Sequence, residues 1–258
     1  MLGILIIHGI FGSPLEFTPL TESLVNRGFT THSVTLPGHG PEASLSLTDV
    51  TSERLIEHCR QEYQVLSRQA DQIIIIGHSL GGICSLITAG ASPAKLAGVI
   101  ALATPYEHAF TVNHQLGWLD VPIPHLVRGL QYVPEQWNST HQLPPRFTQT
   151  APFAFPHLVT QSEKLLRELQ YRLPDINVPV MMAHSPYDLT IPYSEMQKIA
   201  DNLHQSPRII THTLEKSGHQ FFPRSNDRER LSRHIHEFLD QIILETRKKA
   251  PYAQNHSK

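Results

Sequence analysis

The sequence predicts an α/β protein built on a mostly parallel central sheet of about six strands, with helices on both faces. Three observations carry this expectation. Short apolar runs alternate with longer segments of helical periodicity along most of the chain. The runs are apolar throughout rather than every second residue, as strands covered on both faces must be. With 258 residues, 40% of them hydrophobic, the chain can bury a sizeable core.

The elements follow in order. "GILIIHG" (residues 3–9) reads as a buried strand. Residues 15–27 read as a helix with Phe17, Leu20 and Leu24 on one face and Gly28 as its stop. "FTTHSVTL" (29–36) is the next strand, closed by the turn-rich "PGHGP" (37–41). A helix over about 52–68 places Ile56, Cys59, Tyr63 and Leu66 at helical spacing. The isoleucine run of residues 72–77 is a strand, and a helix follows from Leu80 to about Gly90. "GVIALATP" (98–105), "VPVMMAH" (178–184) and "RIITHTL" (208–214) complete the strands. The closing helix, about 226–247, carries Leu231, Ile235, Phe238, Leu239, Ile242 and Ile243 in one amphipathic stripe.

Residues 106 to about 162 break the rhythm, with few ordinary strand or helix patterns. They hold both tryptophans, Trp118 and Trp137, many prolines and few charges. A long loop in a compact domain is unusual unless functional, and this one is too aromatic for disorder. We expect a compact cap over one end of the sheet. The chain then divides into a core (1–105 and 176–247), a cap insertion (about 106–175) and a flexible tail (about 248–258).

Composition narrows the function classes. With 21 basic and 23 acidic residues the net charge is -2, so nothing resembles a nucleic-acid footprint. The basic run Arg247-Lys248-Lys249 reads as a solvated helix end. The two cysteines, Cys59 and Cys84, are too few for a disulfide framework and read as small buried hydrophobes. The N-terminus lacks a cationic lead or a cleavage pattern, and no segment approaches membrane-spanning length. The expectation is a soluble protein in a reducing compartment, the cytoplasm.

The chemistry concentrates in "IIIIGHSLGGI" (73–83), where the greasiest run of the chain stops at a serine among glycines. Gly77-His78-Ser79-Leu80-Gly81 fits G-x-S-x-G, and it lies between a strand and a helix, the setting that pattern requires. A sharp turn there points the serine Oγ out of the sheet end. Side chains two positions either side would collide, so Gly77 and Gly81 are needed, and Gly82 lets the helix approach the strand. The helix N-terminus places positive dipole beside any developing negative charge. A plain N-cap serine would not explain three flanking glycines. We read Ser79 as a nucleophile.

A serine needs a base, and the base an orienting acid. Among 17 histidines, position decides: His219, in "EKSGHQFF" after the last strand, sits at the same sheet end as Ser79. The acid should follow an earlier strand. Asp188 in "AHSPYDLTIP" has the better loop, and Glu107 is the rival. Oxyanion donors are expected from the backbone N–H of Leu80 and from the turn "HGIFGSP" (8–14), where Ile10 is preferred and Phe11 is the near alternative. Phe11 and His78 are candidate walls of the substrate pocket. No His and Cys spacing suits zinc.

The order Ser79, Asp188, His219 and the motifs "HGIFGSP", "GHSLGG", "SPYDLTIP" and "SGH" resemble the α/β-hydrolase superfamily over nearly the whole chain. "PGHG", the "LPDINVPV" lead into the fifth strand and the cap size are similar to the bacterial carboxylesterase and monoacylglycerol lipase branch. The chain departs from many relatives in carrying Ser185-Pro186 where they have a glycine, and it starts almost at the first sheet strand, without the two usual leading strands. The resemblance implies acyl transfer through an acyl-serine, with no metal or organic cofactor and a short to medium acyl chain under the cap. The implied partner is a small apolar ester, with no nucleic acid, no integral membrane association and a monomer or weak homodimer. A thioesterase or acyltransferase with the same triad, or a slowly turning ligand receptor, are the alternatives.

Overall fold

The computed structural model describes residues 1–40, 47–107, 145–222 and 227–249. Six strands form one sheet: β1 (Leu2–Ile7), β2 (Thr30–Val34), β3 (Gln72–His78), β4 (Leu96–Leu102), β5 (Val180–His184) and β6 (Ile209–Thr213). Their spatial order is β2-β1-β3-β4-β5-β6, and all five pairings are parallel. The α/β class and the six-stranded sheet therefore match the expectation from the sequence.

The four isoleucines of β3 show why the runs are unbroken. Ile73 and Ile75 face one core with Leu5, Ile7 and Val99. Ile74 and Ile76 face the other with Ile4, Ile6, Ile100 and Leu102. A helical layer covers each face. The first core is closed by α2 (Ser52–Ser67), α3 (Leu80–Gly90), α4 (Pro145–Arg172) and α5 (Ser194–Asp201). The second is closed by α1 (Thr18–Asn26), through Leu20 and Leu24, and by α6 (Arg228–Lys249), through Leu231, Ile235, Phe238 and Leu239. β2 and β6 are the edges, and their residues are mostly half-exposed.

One departure concerns the region read as patternless. Its last third is helical, because α4 starts at Pro145. Pro152 and Pro156 fall inside this helix, where proline normally removes a backbone donor, so the sequence conceals it. Packing compensates: Leu165, Leu166 and Leu169 are buried in the first core. Polar side chains of α4 also hold the start of α2. Gln161 Oε1 accepts the Ser52 N–H at 2.9 Å, and His157 Nε2 bonds the Val50 carbonyl at 2.7 Å. The aromatic stretch 108–144 of the expected cap, with Trp118 and Trp137, lies outside the described residues.

The order of strands fixes where a site can form. β1 leads outward to β2, whereas β3 leads the other way, so the loops after β1 and β3 part and leave a crevice at the strand C-termini. Register aligns the two exits, Ile7 pairing with Gly77 and His78 with Leu102.

Candidate active site

Ser79 occupies the turn between β3 and α3 with φ 53° and ψ −116°, a left-handed conformation rare for a residue with a side chain. Its N–H is bound by the Leu102 carbonyl at 2.8 Å, which locks the turn to β4. The flanking glycines are explained by contact. A Cβ on Gly77 would overlap the Gly81 carbonyl, a Cβ on Gly81 would overlap the Ile7 and His8 carbonyls, and a Cβ on Gly82 would overlap Thr104.

Asp188 and His219 meet directly, with His219 Nδ1 and Asp188 Oδ2 at 2.7 Å. Asp188 is held on every side. Its Oδ1 accepts the N–H groups of Thr190 (2.8 Å) and Ile191 (2.9 Å), and its Oδ2 also receives His184 Nε2 at 3.0 Å. Burial alone would favour the neutral acid, but the hydrogen bonds from His184, His219 and the Ile191 N–H outweigh it. The carboxyl stays ionised well below the usual carboxylate range. The rival Glu107 is elsewhere, paired with Lys198 Nζ at 2.5 Å.

His219 reaches the elbow through its neighbour. His78 Nε2 bonds the His219 carbonyl at 2.8 Å, and the two rings lie 4.8 Å apart. Among the described residues no hydrogen bond joins Ser79 Oγ to His219. Such a contact is often long until substrate closes the site. His78 itself is buried, and burial pushes its imidazole down to about 3, so it is neutral and donates from Nε2.

The turn after β1 is organised by His39, His8 and Glu16. Phe11, at φ 60°, donates its N–H to His39 Nε2 at 3.1 Å. His39 Nδ1 in turn bonds the Pro37 carbonyl at 2.9 Å, so Nε2 is the bare nitrogen and His39 must be neutral. Burial pushes it down to about 4. His8 is placed the same way: Nδ1 bonds the Gly9 carbonyl and Nε2 accepts the Leu36 N–H, and burial pushes it to about 3. Beneath the turn lies Glu16, whose carboxyl burial pushes up to about 7 against hydrogen bonds from the N–H groups of Ser13 and Gly9.

Ser185 joins the acid loop to the histidine loop. Its Oγ donates to the Ser217 carbonyl at 2.5 Å and accepts the Tyr187 N–H at 3.1 Å. Asp227 fixes the other side, accepting the Lys216 N–H (2.6 Å) and the Ser217 hydroxyl (2.8 Å). Of these supporting groups, His8, His39 and Ser185 lie in motifs quoted from the sequence, and Glu16 carries the Ser13-x-x-Glu16 spacing of a capping box. Among the described residues no group of three or more His, Cys, Asp or Glu side chains is arranged to hold a metal ion. None of the described helices is long and apolar enough to cross a membrane.

A parallel sheet covered by helices on both faces is also what comparison with known proteins returns. Residues 4–233 match the model of the alpha/beta hydrolase family. The chain belongs to that family. Among curated relatives, this hydrolase is 33% identical over 99 residues to a pyrethroid hydrolase of Sphingobium wenxiniae, 38% of this chain and 34% of that one. It is 27% identical over 100 residues to a thermostable monoacylglycerol lipase of a Bacillus species, 39% of each chain. The matched stretches thus span little more than a third of those relatives. Among solved structures, a chain from work on the metagenome-derived lipolytic enzymes LipS and LipT superposes with a TM-score of 0.70 at 20% identity, covering 93% of this hydrolase and 94% of that chain. That likeness speaks to the fold.

Proposed function

We propose that this hydrolase cleaves carboxylic esters through an acyl-serine intermediate. The observation that carries the reading is the pairing of a strained Ser79 with the Asp188–His219 couple at one sheet end. His219 takes the proton of Ser79 Oγ as the oxygen attacks the carbonyl carbon. Asp188 keeps Nδ1 protonated, so that Nε2 is the free base, and stabilises the imidazolium that forms. The tetrahedral oxyanion is received by backbone N–H groups. Leu80, the first residue of α3, has no acceptor within its helix. In the β1 turn the Phe11 N–H is spent on His39, which favours Ile10 as the second donor. His219 then gives its proton to the leaving alcohol. Water, activated by the same ring, releases the acid.

Phe11 is our choice for a wall of the acyl pocket. An apolar ester of short to medium acyl chain or monoacylglycerol type suits such a wall. The names of the matched lipase and pyrethroid hydrolase support an apolar substrate.

The test is hydrolysis of p-nitrophenyl esters of increasing acyl length by the wild type and by Ser79→Ala. The wild type should turn over with an optimum at short to medium chains, and Ser79→Ala should lose at least about 10³-fold in kcat. Inactivity of the wild type on every ester, with turnover of acyl thioesters, would replace this reading with a thioesterase.

A further inference from the structure

We propose that Glu16 is a positioning residue for the hydrolysis proposed above, pinning both ends of the turn that carries Ile10 and bracing that turn on His78. The inference rests on that reading of the site. Three contacts carry it. Glu16 Oε1 accepts the Ser13 N–H at 3.3 Å, and the Gly9 N–H also bonds the carboxyl, so Glu16 holds the residues on either side of Ile10, Phe11 and Gly12. A Cβ on Gly12 would overlap Oε1, so the glycine leaves room for the carboxyl. Glu16 Oε2 packs 3.8 Å from Nδ1 of the neutral His78 ring, a contact without a hydrogen bond, and His78 Nε2 holds the His219 carbonyl.

A buried carboxyl is costly unless its oxygens are used. Here the side chain is only 10% exposed, and both oxygens face the machinery. Capping alone is too small a task. The helical turn that Glu16 would cap, Pro14–Phe17, has four residues, and capping explains the bond to Ser13 but neither the bond from Gly9 nor the packing against His78. The consequence is preorganisation. With Gly9 and Ser13 tied to one carboxyl, the Ile10 N–H is aimed before the oxyanion forms, which is where donors lower a barrier most. Through His78 the same carboxyl backs the loop of His219, so the two halves of the site are set by one side chain.

The experiment compares the full chain with Glu16→Gln, Glu16→Ala and Ser79→Ala on one p-nitrophenyl ester. Active sites are counted by stoichiometric labelling with an alkyl fluorophosphonate. Glu16→Ala should lower kcat per labelled site about 10- to 100-fold while KM stays within about threefold. Glu16→Gln keeps an acceptor oxygen and should recover most of that loss. If Glu16→Ala fails to fold, Gly12→Ala, which displaces the carboxyl, must show the same split. An unchanged kcat per labelled site, with only Tm or the labelled fraction reduced, would reduce Glu16 to a cap and overturn the proposal. If Ser79→Ala matches the wild type, the ester reading falls and takes this proposal with it. If Ser79→Ala is inactive and Glu16→Ala is not impaired, only this proposal falls.

Discussion

Asp188 has four donors and no oxygen to spare. Oδ1 serves the Thr190 and Ile191 N–H groups, and Oδ2 serves His184 and His219. Asparagine has the same shape but one acceptor. In Asp188→Asn the carbonyl would keep the two backbone donors, and the amide NH₂ would turn toward His219 Nδ1. That nitrogen must then become the bare one, and Nε2 carries the proton it needs to be free of. We expect kcat for ester hydrolysis to fall about 10³- to 10⁴-fold with little change in KM, as when a triad histidine is held in the wrong tautomer. Steady-state kinetics on the ester preferred by the wild type decides it. A loss below tenfold would mean that Asp188 does not set the tautomer. Glu107, the rival in the sequence, is tied to Lys198 and cannot substitute in this arrangement.

At the scale of elements, α5 does more than its eight residues suggest. Glu195, fully buried, accepts the N–H groups of Tyr106 at 2.8 Å and Glu107 at 2.6 Å, the last described residues after β4. Lys198 Nζ, 2.9 Å from Glu195 Oε1, completes the clamp. Glu195→Ala takes a carboxylate acceptor from two part-buried N–H groups and should destabilise by about 2 kcal/mol, a fall in Tm of roughly 4–8 °C. Thermal unfolding of the variant measures it, and a Tm within 2 °C of wild type would show the clamp to be idle. This helix was invisible in the sequence because one short amphipathic turn pair carries little periodicity. The six strands and the long helices α2, α3 and α6 were legible because apolar run and helical stripe are local patterns. α4 was hidden by Pro152 and Pro156, and what stabilises it is packing against distant α3. The site divides likewise. Ser79, Asp188 and His219 could be picked out by their place after a strand. Glu16, His39, Ser185 and Asp227 act through contacts to loops that only the folded sheet brings together.

Across the whole molecule, the buried histidines tie stability to pH. His8, His39 and His78 are held neutral by burial, at about 3, 4 and 3, whereas in the unfolded chain each takes a proton near the ordinary value of 6.5. Below pH 6.5 the unfolded state therefore binds protons that the native state refuses, and stability falls as pH falls, by about 1.4 kcal/mol per pH unit for each group. Glu16 acts in the opposite sense. Raised from 4.5 to about 7, it favours the fold below pH 4.5, and that contribution is lost as pH rises through 7. Between about pH 4.5 and 6.5 three histidines oppose one glutamate, so the histidines win. Tm should be level or nearly so above pH 7 and should drop steeply from pH 6 toward pH 4.5. A flat Tm between pH 4.5 and 6.5 would contradict the burial argument. His39 makes the coupling to the site explicit, because the nitrogen that would take the acid proton is the acceptor of the Phe11 N–H. His39→Gln offers an uncharged acceptor in its place. It should flatten the acid limb of the Tm profile by about one proton's slope while keeping the turn that positions Ile10.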